Sequence, residues 1–122
     1  MFEEEIKKLS TLDRYIINYS DLGDYYLFAL GAYKSGCFKI EVENVKNTQY
    51  YLDDIATHRN RLSNRYEYMK ILKSEIDINS LDAFYKKELN SHNIFFDKIE
   101  ILLHDMEKFL NKHNVELSTN FY

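Results

Sequence analysis

No proline occurs among the 122 residues, and the three glycines all fall between positions 23 and 36. Proline ends or kinks a helix most reliably, because it lacks an N–H and its ring clashes with the preceding turn. A chain without it can run long helices. Its punctuation must come from the Gly23–Gly36 region and from the polar run Asp77–Ser80.

The apolar residues repeat at helical spacing. Phe2, Ile6, Leu9, Leu12, Ile16 and Tyr19 recur three and four apart, which predicts a first helix over Phe2–Tyr19. Glu3, Glu4 and Glu5 complement the dipole of its first turn. Ser20 or Asp21 is placed to cap a second helix over Asp24–Ser35, with Leu27, Phe28 and Leu30 inward. Gly31, inside that helix at a cost of about 1 kcal/mol relative to alanine, is expected to mark a close helix approach. Phe38–Glu43 alternates like a strand, but no second strand answers it, so it reads as the start of a third helix. From Val45 the helical period is clear. Thr48, Ile55, Leu62, Met69 and Ile76 lie seven apart, with Tyr51, His58, Arg65 and Leu72 as a companion row. Val45, Leu52 and Tyr66 widen the stripe. Unbroken from 40 to 76, this helix would be about 55 Å long. Either it breaks near Asn47-Thr48 or the molecule is an elongated hairpin. Ser80 then caps a fourth helix over Leu81–Asn114, whose stripe runs from Leu81 and Tyr85 through Leu89, His92 and Phe96 to Leu110.

The expected fold is all-α: one domain, a bundle of four to five helices dominated by a long C-terminal antiparallel hairpin. Residues 1–36 form the N-terminal pair, 37–114 the hairpin and 115–122 a tail. Apolar stripe left over at the hairpin tip would favour a homodimer.

Composition excludes several classes. A 45% hydrophobic and 16% aromatic content is too apolar for a disordered chain. The longest apolar run, 25–33, is far short of the ~20 residues that span a bilayer. The acidic start is unlike a signal peptide. The lone Cys37 makes no internal disulfide and excludes a Cys₂His₂ zinc cage. A cytoplasmic location follows as the expectation. A net charge of −4 argues against nucleic-acid binding through the whole surface. Lysine outnumbers arginine 12 to 4, and Ile, Asn, Tyr and Phe abound, as AT-rich codons dictate. An AT-rich bacterium, its phage or a mobile element is the expected source.

The polar interruptions of the stripe carry the site reading. With the turn centred between Ile78 and Asn79, the numbers of facing residues on the hairpin sum to 157. Arg65 then faces His92, and Glu88 stands at i, i+4 from His92. Arg65, Glu88 and His92 are expected to form a buried polar cluster, either fixing register or, with His58 and Arg61, lining an anion pocket. Residues 58–73 carry a net +4 within an acidic chain. Metal sites are not expected: the pairs Asp54/His58, Glu88/His92 and Glu100/His104 have i, i+4 spacing rather than the Glu-x-x-His of di-iron bundles. Phosphate-loop, dinucleotide-binding, nucleophile-elbow and calcium-loop patterns are absent, so neither catalytic residues nor cofactors are assigned. The functional expectation is a non-enzymatic protein-binding module of the accessory, inhibitor or immunity type. Its contact surface is Tyr51, His58, Arg61, Arg65 and Tyr68. The alternative is RNA binding through the basic segment 58–73.

Overall fold

The computed structural model describes residues 10–115; 87% of these are helical and none is in a strand. Ser10 begins the first helix. Its hydroxyl accepts the Asp13 N–H at 3.2 Å, satisfying one of the donors that a helix start leaves without a partner. Helix α1 runs unbroken over Thr11–Cys37 and closes in a π-helical turn, Phe38–Val42. There the Glu43 N–H reaches back five residues to the Phe38 carbonyl. Asn44 reverses the chain at φ 52°, in the left-handed region that asparagine tolerates. Helix α2 spans Thr48–Ser74. A 3₁₀ turn, Ile78–Ser80, leads to α3, Ala83–Lys112, and Asn114 follows at φ 61°.

The described residues thus form three long helices, not four to five. The predicted first and second helices are one. Neither Ser20 nor Asp21 acts as a cap, and Gly23 and Gly31 sit inside continuous α1. Gly31 does not mark a close approach, since a Cβ there would meet nothing within 4 Å. Gly36 does: a Cβ there would fall 2.5 Å from Ile55 Cδ1. Phe38–Val42 ends the first helix rather than starting the next. Of the two alternatives for residues 40–76, the break near Asn47-Thr48 is the one present. Asp82, not Ser80, caps α3 by accepting the Tyr85 N–H; the Ser80 hydroxyl donates instead to the Asp77 carbonyl. The predicted helix start at Phe2–Leu9 and most of the tail, 116–122, lie outside the described residues.

The buried face of α1 is a heptad row, Tyr15, Leu22, Ala29 and Gly36. Ile16, Leu27 and Phe28, expected to face inward, are exposed. On α2 the buried centre is Ile55, Leu62 and Met69, as the sequence predicts. Leu89, Phe96, Ile99, Leu102, Met106, Phe109 and Leu110 complete the core from α3. Cross-helix pairs give the topology. Arg14 meets Tyr68 and Gly36 meets Ile55, so α2 is antiparallel to α1. Tyr15 meets His92 and Tyr33 meets Phe109, so α3 is parallel to α1. Among the described residues, no helix is long and apolar enough to cross a membrane.

Candidate functional site

The two flanks of α2 do different jobs. One row, Leu52, Arg59, Tyr66 and Lys73, turns toward α3. Arg59 pairs with Glu107, the Tyr66 hydroxyl donates to Glu100 Oε1 at 2.6 Å, and Lys73 Nζ donates to Asn93 Oδ1. These pairs are spaced by seven on both helices, and each pair's residue numbers sum to 166. The ladder was missed in the sequence, although its heptad rows 59/66/73 and 93/100/107 are visible there. Burial, with the Glu100 carboxylate adding to it, pushes the Tyr66 phenol well above its ordinary value. Burial lowers the Lys73 ammonium, which otherwise lies over the Phe96 ring at 5.0 Å.

The other row, Tyr51, His58, Arg65 and Leu72, turns toward α1. The expected cluster of Arg65 with Glu88 and His92 therefore does not assemble. Arg65 is exposed, with its guanidinium carbon 5.0 Å from the centre of the Tyr25 ring on α1. The physical reason is register. The connection climbs about two turns past the end of α2 before α3 reverses, so facing numbers sum to 166 rather than 157. Glu88 is consequently exposed, and its Oε2 lies 4.0 Å from His92 Nε2. His92 packs against α1 instead. Its ring stacks on Tyr19 at 3.5 Å between centroids, and Nδ1 lies 3.0 Å from the Tyr15 hydroxyl. Burial lowers the His92 imidazole below its ordinary pKa, with Glu88 opposing and Lys73 reinforcing the shift.

The predicted contact residues sort along the outer α1–α2 seam. Arg61 is exposed and Arg65 lies over Tyr25. The half-buried Tyr68 hydroxyl accepts from Arg14 Nη2 at 3.1 Å. Arg14 was not singled out from the sequence; it and Tyr25 are eleven apart on α1, which puts them on one face of that helix. No carboxylate of the described residues lies within 4.0 Å of the Arg14, Arg61 or Arg65 guanidinium. The local acids are engaged elsewhere: Asp54 with His58 at 3.4 Å and Asp53 with Gln49 at 2.7 Å. Tyr51 is half-buried, meets Tyr50 edge-on at 5.1 Å and contributes its backbone beside Gly36.

Comparison with protein-family models, curated proteins and solved structures finds no match. The chemistry must be argued from the side chains. Among the described residues no group of three His, Cys, Asp or Glu could hold a metal ion. What the outer seam offers is two arginines held by tyrosines, with the exposed Arg61 on the same helix as one of them, and held cations recognise anionic surfaces.

Proposed function

We propose that the chain is a non-enzymatic protein-binding module that recognises an acidic surface of its partner through the outer α1–α2 seam. One observation carries this reading. Arg14, Arg61 and Arg65 carry no ion pair to a described carboxylate, while Arg14 donates to the Tyr68 hydroxyl and Arg65 lies over the Tyr25 ring. A lone surface arginine is ordinarily mobile and worth little. Guanidinium groups pre-positioned by a tyrosine hydroxyl or ring lose less freedom on binding, and tyrosine and arginine dominate the energetic centres of protein interfaces. The accessory or inhibitor role expected of a small helical protein from an AT-rich genome fits this surface.

RNA is the second reading, because arginine beside tyrosine also suits unpaired bases. The net charge of −4 stands against it. One experiment separates the two. The chain is captured from cells that express it, with and without nuclease, and compared with the double variant Arg61→Ala/Arg65→Ala. Retention of an acidic protein that survives nuclease and disappears in the variant is expected. Bound nucleic acid, displaced steeply by salt, would transfer the role to the second reading. A partner held equally by the variant would remove this surface from consideration.

A further inference from the structure

The overhang of α3 past the end of α2 builds a second site, independent of the arginine seam. Ile16 and Tyr19 of α1 and Phe84, Glu88, Leu89 and His92 of α3 line a groove of about 580 Å³. Its walls are apolar, with Phe84 at 67% exposure and Ile16 at 41%. Its polar end has a fixed hydrogen-bonding pattern. Tyr15 is fully buried, and among the described residues its hydroxyl has one partner, His92 Nδ1. A buried phenol that donated nothing would leave its O–H unsatisfied, which native structures avoid. Tyr15 therefore donates to Nδ1, and the imidazole carries its proton on Nε2. Burial favours the same assignment, since it raises the Tyr15 phenol and lowers the His92 imidazole.

His92 and Glu88 both line the groove, and His92 Nε2 lies 4.0 Å from Glu88 Oε2. That is too far for a direct hydrogen bond. It suits one oxygen between them that accepts from nitrogen and donates to the carboxylate. A hydroxyl has both capacities; a carboxylate or phosphate, which only accepts, would face Glu88 unfavourably. We infer that this groove binds a small apolar molecule bearing a hydroxyl, a phenol or alcohol, whose oxygen bridges the His92 Nε2–H and the Glu88 carboxylate. The volume lies within the range of small-ligand pockets and admits a ligand of one or two rings.

The test uses the full chain and two probes of equal shape, p-cresol and p-xylene, followed by NMR. The ¹⁵N pattern of His92 should first show the proton on Nε2; a proton on Nδ1 would overturn the inference. p-Cresol should then shift His92, Leu89 and Ile16 and bind about tenfold more tightly than p-xylene, the gain expected of a bridging hydroxyl. Glu88→Ala should abolish most of that preference, and Phe84→Ala should weaken both probes; both side chains are exposed, so folding is preserved. Equal binding of the two probes, or binding of neither, would refute the proposal. A dimer by light scattering that Phe84→Ala dissolves would also refute it, by putting a second copy in the groove.

Discussion

Replacing Gly36 with alanine should destabilise the bundle, whereas the same change at Gly23 or Gly31 should stabilise it. All three glycines lie in one continuous helix, so alanine gains up to about 1 kcal/mol of helix propensity at each. The surroundings decide the sign. At Gly23 and Gly31 a new Cβ meets nothing within 4 Å. At Gly36 it would stand 2.5 Å from Ile55 Cδ1 and 3.0 Å from Ile55 Cγ1, with the Tyr51 carbonyl oxygen at 3.7 Å. Carbon atoms in contact prefer about 3.5–4.0 Å, so one helix must retreat by about 1 Å or Ile55 must leave its rotamer. Ile55 is fully buried, and side chains in a close-packed interior have little room to turn. Overpacking of this kind costs about 1–3 kcal/mol. The difference in stability between Gly36→Ala and Gly31→Ala isolates that cost, so it should also be about 1–3 kcal/mol, or several degrees in Tm. Urea unfolding followed by helix circular dichroism measures it. Ile55→Val supplies the check, because it removes the clashing methyl. Alone it should cost about 0.5–1.5 kcal/mol. Combined with Gly36→Ala it should cost nothing or restore stability. Gly36→Ala as stable as Gly31→Ala, or no coupling to Ile55→Val, would show that α1 and α2 do not approach at this point.

Three further outcomes follow from the same geometry. Ser10→Ala should cost about 1 kcal/mol in thermal unfolding, while Ser20→Ala and Asp21→Ala stay within about 0.5 kcal/mol, because only Ser10 caps α1; a large loss at residue 20 or 21 would mean that the helix is broken there. The His92 imidazole is lowered in the folded chain, so the unfolded chain binds that proton first as pH falls. Its contribution to stability is complete above about pH 7 and is lost as pH drops through the ordinary value near 6.5 toward the lowered one. Melting temperatures from pH 7.5 to 5.5 should show this slope, and His92→Asn should flatten it; an unchanged slope in the variant would assign the loss to other groups. Lys73→Met should leave stability unchanged or raise it, because among the described residues the half-buried ammonium has Asn93, the Leu89 carbonyl and the Phe96 ring, and no carboxylate, as partners. A loss beyond about 1 kcal/mol on chemical denaturation would contradict that account.

What could be read in the sequence depended on whether one helix or two had to be known. The row Ile55, Leu62 and Met69 was legible because burial of a heptad row is a property of α2 itself. The break at Asn47-Thr48 was legible only as one of two alternatives, since an unbroken helix over 40–76 satisfied the same period. The continuity of α1 was not. Ser20, Asp21 and Gly23 are competent punctuation, but without a proline nothing forces a stop, and packing of Leu22 and Ala29 carries the helix through. Register was the deepest omission. Rows 51/58/65/72 and 52/59/66/73 of α2 differ by one position and flank the same centre, so periodicity cannot say which neighbour each one meets. An assumed tight turn assigned Arg65 to His92; the longer climb of residues 75–82 shifts the facing sum to 166 and separates them. That shift also creates the groove between α1 and α3. It carries Glu88 past the end of α2, with His92 level with its last residue, Ser74, so that both border Ile16 and Tyr19. Shortening the 75–82 connection to restore the tight turn should therefore close the groove and remake the ladder in another register, while Arg65 stays on Tyr25.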